Sequence, residues 1–98
     1  MTITPADVRD ALLPLVRKGD DHTVRQLVAA IVLLDGPVAV HAVADMLGVN
    51  KPAATRIADR LEEDHYAVRV PNPSDRRGTL LRLTPSGRKF ALSVGTAA

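Results

Sequence analysis

The sequence predicts a mainly α-helical fold that carries one β-hairpin. Up to residue 64, apolar residues recur three and four positions apart, which is the spacing of amphipathic helices. From residue 66 the spacing changes to the alternation of a strand, and a second alternating run follows a turn rich in proline, asparagine and glycine. The 98 residues include one Phe and one Tyr, so the core must be built from aliphatic side chains.

Two helices are predicted in the N-terminal third. The first spans residues 4–18 and begins with a threonine–proline pair, which is a favourable helix start. Pro14 lies inside its apolar stripe, so this helix is expected to be kinked or split. The second begins with Thr23 and Gln26, which stand three apart as a capping box requires. Apolar positions nearly encircle this helix, which predicts that it lies at the centre of the core.

A helix-turn-helix is predicted over residues 40–64. A two-turn helix ends at Gly48, and Asn50 caps a longer helix over residues 51–64 with a stripe of alanine, isoleucine and leucine. The short, glycine-containing link between them is typical of two helices that cross each other.

A β-hairpin follows over residues 66–83. In its first run Val68 and Val70 alternate with Ala67 and Arg69, as the period of a strand requires. The hairpin is predicted to form the wing of a winged helix-turn-helix.

A second threonine–proline pair starts a short last helix over residues 85–94. We therefore expect residues 1–98 to form one winged helix-turn-helix domain. In this fold the second helix of the helix-turn-helix can lie in a DNA major groove, with its N-terminal residues against base edges.

Charge supports a polyanionic partner. The net charge is +2, and the basic residues concentrate in the second half of the chain. In helix 51–64 cations and hydrogen-bond donors occupy the first part, whereas acids crowd the C-terminal end and would repel phosphates. The residues expected to contact DNA from this helix and its cap are Asn50, Lys51, Pro52, Thr55, Arg56 and Arg60.

Residues 40–87 resemble the DNA-binding core of the MarR family of bacterial transcription regulators. The matching pieces are LGVNKPAATRIADRLEE, Arg69 on the following strand, and SDRRGTLLRLTPSG. The last piece is the most diagnostic, because Asp-x-Arg, a spacer and Leu-Thr-x-x-Gly form the wing signature of that family.

The resemblance implies roles for the wing tip, residues 74–78. Arg77 is expected to enter the minor groove, Asp75 to steady it, and Arg76 to contact phosphate. A minor groove about 6 Å wide admits a planar cation, and narrow A·T tracts concentrate negative potential there. Pairing with Asp75 would restrain Arg77 beforehand and reduce the entropy that it loses on binding.

Two features depart from the family pattern. His65 stands where members usually carry glycine, and it is expected to end the recognition helix in a conformation that histidine tolerates better than β-branched residues. Family members dimerise through long helices at both ends, with effector pockets between these helices and the winged core. Here a homodimer through segments 4–18 and 85–94 is expected, and a small-molecule effector stays an open question.

Other kinds of site are not indicated. The chain has no cysteine, and its three histidines lack ligand spacing apart from a weak Glu62–His65 pair. No enzyme activity, metal or cofactor is therefore predicted. The N-terminus lacks the pattern of a signal peptide and the longest apolar run, Leu27–Leu34, is too short for a membrane span, which predicts a cytoplasmic protein without a membrane partner.

The leading hypothesis is a sequence-specific transcription regulator that binds double-stranded DNA as a homodimer and acts as a repressor. One alternative is a winged-helix module that binds another protein. Asp59 and the neighbouring glutamates are compatible with this alternative, because a protein-binding module would have an apolar or acidic recognition face. Another is an architectural DNA-binding protein with weak sequence preference.

Overall fold

The computed structural model describes residues 2–17 and 23–94. Within these residues it contains five α-helices, a single 3-10 turn and three strands, which confirms the predicted fold class. The helices are α1 (Pro5–Arg17), α2 (Val24–Val32), α3 (Val40–Leu47), α4 (Lys51–Glu63) and α5 (Pro85–Leu92). The 3-10 turn is Leu33–Asp35, and the strands are β1 (Val38–Ala39), β2 (Ala67–Asn72) and β3 (Asp75–Leu83).

Helix α2 packs against α3, α4 and α5 and joins the two apolar clusters of the core. Its start is the expected capping box: the N–H of Gln26 donates to Thr23 Oγ1 at 3.2 Å, and the N–H of Thr23 donates to Gln26 Oε1 at 2.9 Å. Ala29 and Ala30 are fully buried, one in each cluster. Small side chains at these positions let the neighbouring elements approach α2 closely.

Helices α3 and α4 form the helix-turn-helix. Helix α3 ends at Gly48, whose φ of 66° is left-handed, and the N–H of Val49 donates back to the carbonyl of Ala44 at 3.0 Å. Asn50 then caps α4, because its Oδ1 accepts from the N–H of Ala53 at 2.9 Å. The buried side of α4 consists of Ala53, Ala54, Ile57, Ala58 and Leu61.

The strands form an antiparallel sheet in the order β1–β3–β2. Leu81, at the centre of β3, pairs with Val38 on one side and with Arg69 on the other, and it is fully buried. In β2, Ala67 is buried and Val68 is exposed. The core-facing side of the hairpin is therefore the one that carries Ala67 and Arg69.

The turn of the wing is shorter than predicted. Strand β3 begins at Asp75, so the turn is formed by Pro73 and Ser74, and the expected tip over residues 74–78 is wrong. The N–H of Ser74 donates to Asn72 Oδ1 at 3.0 Å, which closes the turn through an asparagine side chain.

Strand β3 carries a bulge directly after this turn. Asn72 pairs with Asp75, whereas the next paired residue, Pro71, lies opposite Thr79. Residues 76–78 therefore form a bulge in β3. Pro71, which has no N–H to donate to the ladder, lies at this irregularity, and bulges are among the few places where a strand tolerates proline.

Helix α5 lies close against the start of the hairpin. A Cβ atom placed on Gly87 would come 1.8 Å from the carbonyl oxygen of Tyr66, so only glycine fits there. The Thr84 hydroxyl caps α5 by accepting from the N–H of Gly87 at 2.9 Å and donates to the carbonyl of His65 at 2.5 Å. The rings of Tyr66 and Phe90 stack with centroids 4.4 Å apart. These contacts fix the hairpin relative to the helices.

Helix α1 is the least buried of the helices. It runs through Pro14 as one helix, so the expected split is not observed. None of its residues is fully buried, and Leu12 and Leu15 contact the edge of the core. Val8 is 45% and Val16 is 70% exposed. In the described ranges no helix is long and apolar enough to cross a membrane.

Candidate nucleic-acid interface

The outward face of α4 presents most of the residues that the sequence predicts as DNA contacts. Lys51, Pro52, Thr55 and Arg56 are exposed along its first two turns. Asn50, directly before them, is also exposed, but its side-chain oxygen is engaged as the helix cap. The structure therefore brings five of the six predicted positions together on one exposed surface.

Arg60, the sixth position, lies farther along α4 and has an acidic partner. Its Nε lies 3.3 Å from Asp64 Oδ2, one turn onward. The Arg60 side chain is 47% exposed, and a pair in such a position stabilises a helix by less than about 1 kcal/mol. The pair neutralises Arg60 in part without burying it.

Arg69 of β2 joins the wing to α4. Its Nη2 lies 2.8 Å from Asp59 Oδ1, its Nη1 pairs with the carboxylate of Glu62, and Nη2 also donates to the Thr55 carbonyl at 3.4 Å. The three acceptors stand four and three positions apart and therefore share one face of the helix. A planar guanidinium can bridge them, since it presents several donors in a fixed fork. We call this group of four residues the wing brace.

The acids of the wing brace hold Arg69 in its charged form. Burial by itself lowers the pKa of Arg69, but hydrogen bonds to Asp59 and Glu62, together with their negative charges, outweigh burial and raise that pKa above its ordinary value. The Arg69 side chain is 28% exposed, whereas those of Asp59 and Glu62 are 54% and 36% exposed, so the guanidinium is the more sheltered side of these contacts. The wing brace thus links the hairpin to α4 through two ion pairs.

The predicted wing contacts lie at the start of β3. Asp75 is exposed, and its carboxylate lies over Gly78, where an added Cβ would come 3.5 Å from Asp75 Oδ2 and 3.4 Å from Asn72 Nδ2. The backbone of Arg76 and Arg77 forms the bulge. Their side chains lie outside the described part of the structure, so their roles stay predictions.

No metal site accompanies these groups. Within residues 2–17 and 23–94, no cluster of three histidine, aspartate or glutamate side chains is placed to hold a metal ion. The carboxylate of Glu62, the acid of the weak metal pattern, binds Arg69. His22 lies outside the described residues.

The winged core with a basic helix face matches known proteins in both sequence and structure. The sequence profile of the MarR family matches residues 20–78, more than half of the chain. The chain belongs to the MarR family. The Multiple antibiotic resistance protein MarR of Salmonella typhimurium is 48% identical over 42 residues, which is 43% of this chain and 29% of that protein.

Solved structures of MarR-like regulators share the fold. A transcriptional regulator from Thermotoga maritima superposes with a TM-score of 0.77 at 28% identity, over 90% of this chain and 61% of the other. A mutant MarR from Escherichia coli in complex with operator DNA gives a TM-score of 0.71 at 28% identity, over 89% of this chain and 59% of the other. The chain thus spans less than two thirds of the length of these relatives.

His65 takes the place of the glycine that is usual in the MarR family. Its φ is 62°, which confirms the expected left-handed helix terminator. The N–H of His65 donates to the Glu62 carbonyl at 3.0 Å, and the N–H of Tyr66 donates to the Leu61 carbonyl at 2.8 Å. This pair of bonds is the Schellman motif. It turns the chain directly into β2, which brings Arg69 alongside α4.

The sequence identifies Arg69 as a match to the MarR family but does not reveal its partners on α4. Arg69 lies two residues beyond the start of the hairpin, on the same side of β2 as the buried Ala67. A lone arginine on the core-facing side of a strand is a signal that it has acidic partners, because an unpaired cation is costly to bury. The acids on α4 supply those partners.

Proposed function

We propose that this MarR-family chain is a sequence-specific regulator that binds double-stranded DNA in the cytoplasm and represses transcription. In this proposal α4 lies in the major groove and the wing in the minor groove. The observation that carries the proposal is the exposed group of Lys51, Thr55 and Arg56 at the N-terminal end of α4. The relative solved with operator DNA supports it.

The pairing of the acids on α4 also favours DNA over a protein partner. An acidic recognition face would suit a protein-binding module. Asp59 and Glu62 are bound by Arg69, and Asp64 is bound by Arg60, so three of the acids of this region have cationic partners. The cations near the start of α4 therefore dominate the charge that a partner would meet.

The wing contributes a second contact in this proposal. We assign Arg77 to the minor groove, Arg76 to phosphate, and Asp75 to the positioning of Arg77. The backbone bulge at residues 76–78 supports this assignment, because β-bulges are over-represented next to functional sites.

Selection from a random duplex pool tests the proposed function. A regulator that acts as a homodimer should enrich pseudo-palindromic sites with half-sites about 10–10.5 base pairs apart, centre to centre. Enrichment should disappear for a Lys51→Ala, Arg56→Ala double variant that still folds. Binding without enrichment would instead identify an architectural protein, and absence of binding by the folded wild-type chain would favour the protein-binding module.

A further inference from the structure

A groove of about 450 Å³ lies between α4 and the first turn of α2. Arg56 and Arg60 of α4 and Arg25 of α2 line it, and Glu63 stands at its C-terminal side. By helical geometry Arg56 and Arg60 lie on the flank of α4 away from Thr55 and Glu62. The groove therefore lies mainly on the flank opposite the wing brace, and the two meet at Asp59, which lines the groove and binds Arg69.

The groove has an excess of available positive charge. Of its charged residues, Asp59 is bound by Arg69 and Arg60 by Asp64, which leaves Arg25 and Arg56 against the single carboxylate of Glu63. Among the residues that the structure describes, Arg25 and Arg56 have no ion-pair or hydrogen-bond partner for their side chains. Both are exposed, so a ligand can reach them.

A buried amide adds a second indication of a ligand. Gln26 lines the groove and is only 5% exposed. Its Oε1 accepts from the N–H of Thr23, whereas its Nε2 has no acceptor within the described residues. Buried donors normally have partners. The positive end of the α2 dipole lies at the same place, which makes an anion the fitting partner.

We propose that this groove holds a backbone phosphate of DNA, on the strand that flanks α4 on the side away from the wing. This inference rests on the proposed DNA-binding function. A helix with its side chains is about 10–12 Å across and the major groove is about 12 Å wide, so a docked α4 brings both of its flanks against the backbone. The wing covers one flank, and Arg25 with Gln26 covers the other.

A phosphate contact of this kind fixes register without reading sequence. The Arg25→Ala variant should therefore lose affinity by the same factor on selected and random duplexes. Its log–log salt slope should fall by about 0.9, so the ratio of wild-type to variant affinity should shrink about 3.5-fold between 50 and 200 mM salt. Arg25 is exposed, and thermal unfolding should confirm that the variant folds.

Two variants provide matched controls. Arg88→Ala removes an exposed arginine beside Leu33 and Leu34, at the other end of α2, and should leave the salt slope unchanged. Glu63→Gln removes the carboxylate at the side of the groove and should strengthen binding to every duplex. If Arg25→Ala and Arg88→Ala lowered the salt slope equally, the overall charge of the protein would explain the fall, and the proposal would be overturned.

Neutral methylphosphonate linkages locate the phosphate. Placed one at a time along a bound duplex, they should weaken binding by the wild-type protein at one position flanking α4. At that position the neutral linkage should not weaken binding by Arg25→Ala any further. Additive losses at every position would overturn the assignment. A titration with inorganic phosphate in the absence of DNA tests whether the groove binds a free anion instead of the DNA backbone. The groove would be assigned to a free anion if the wild-type protein binds phosphate saturably, Arg25→Ala does not, and Arg25→Ala keeps the DNA affinity of the wild type.

The failure of this inference differs from that of the proposed function. If wild-type protein binds no duplex, both fall. If Lys51→Ala weakens DNA binding while Arg25→Ala retains the affinity and salt slope of the wild type, the function stands and the groove is not a phosphate site.

Discussion

His65 and Gly48 end the two helices of the helix-turn-helix with the same left-handed backbone, at φ values of 62° and 66°. Glycine adopts this conformation freely, whereas a residue with a Cβ atom is strained by about 1 kcal/mol or more. The Schellman bonds and the hairpin that follows hold His65 there. The histidine thus stores strain at the point where the recognition helix turns into the wing.

We expect His65→Gly to raise the free energy of unfolding by about 1 kcal/mol, because the substitution relieves this strain. Gly48→Ala is the reverse substitution at an equivalent position and should lower the free energy of unfolding by about 1 kcal/mol. Its added Cβ would meet no atom within 4 Å, so this loss reflects backbone strain alone. Urea denaturation measures both. A destabilised His65→Gly variant would show that the imidazole makes contacts worth more than the strain.

A double-mutant cycle can separate the contributions of Arg77 and Asp75 to DNA affinity. Arg77→Ala should weaken DNA binding and lower the log–log salt slope by about one unit. If Asp75 positions Arg77, Asp75→Ala should also weaken binding, although it removes a negative charge near DNA. In the Arg77→Ala background the second substitution should be neutral or slightly favourable. Duplex affinities of the four proteins measure the coupling, and tighter binding by the Asp75→Ala single variant would refute the positioning role.

At the scale of elements, local sequence signals predict the helices, whereas contacts between distant residues determine the turn of the wing and its link to α4. The capping box at Thr23 and the cap at Asn50 depend on residues three apart, so the sequence alone reveals them. The bulge after Asp75 depends on which residue lies opposite Pro71, and the wing brace depends on where Arg69 lies relative to α4. Neither relation is encoded within a short stretch of sequence, which is why the predicted tip was too long and Arg69 was not identified as a link.

The wing brace should stabilise the attachment of the hairpin to α4. Arg69→Ala should lower the free energy of unfolding by about 1–3 kcal/mol, since it removes charge-assisted hydrogen bonds to two carboxylates and a carbonyl. Arg69→Lys keeps the positive charge but loses the planar guanidinium, so its free energy of unfolding should lie between those of the wild type and Arg69→Ala. Arg82→Ala, an exposed cation on β3, is the control and should change stability by less than about 0.5 kcal/mol. Equal stabilities of Arg69→Ala and Arg82→Ala would contradict the brace.

Helix α1 begins with a capping box whose strength depends on pH. The N–H of Thr4 donates to Asp7 Oδ2 at 2.9 Å, and the N–H of Asp7 donates to Thr4 Oγ1 at 3.2 Å. These bonds, the backbone one first, lower the pKa of Asp7 below its ordinary value of 3.8. The cap therefore contributes stability above that value and loses it as the pH falls through the lowered pKa.

An NMR titration of the Asp7 carboxyl group should place its midpoint below 3.8. The Thr4 amide resonance should shift over the same pH range, because its proton is donated to that carboxylate. In an Asp7→Asn variant the Thr4 shift should disappear. A midpoint at or above the ordinary value would mean that the capping box does not form in solution.

At the scale of the whole molecule, apolar surface remains uncovered along α1 and α2. A groove of about 630 Å³ separates the two helices, and Ile3, Val8, Val28 and Ile31 line it with exposed side chains. The chain measures 44 × 26 × 22 Å, so it is elongated, and its radius of gyration of 14.0 Å slightly exceeds the value of about 13 Å that is typical of 100 residues. Exposed apolar surface of this kind marks an interface more often than a free face.

We expect this surface to be covered by a second copy in a homodimer. Light scattering at tens of micromolar should give twice the chain mass of 10.5 kDa. Val8→Asp places a charge on the 45% exposed position of α1 and should shift the protein toward monomer, because an unpaired carboxylate is costly in an apolar interface. Met46→Asp, at a position on α3 that is 62% exposed, is the control and should leave the mass unchanged.

A homodimer would also determine how DNA is read. Two copies related by a two-fold axis present two α4 helices, which requires half-sites about one helical turn of DNA apart. Val8→Asp should therefore lose affinity for a full pseudo-palindrome while it binds an isolated half-site as well as the wild type does. If the wild-type protein is a monomer at tens of micromolar and selects asymmetric sites, both the interface and the expected symmetry of the operator are wrong. In that case a single α4 and a single wing would have to supply all of the specificity.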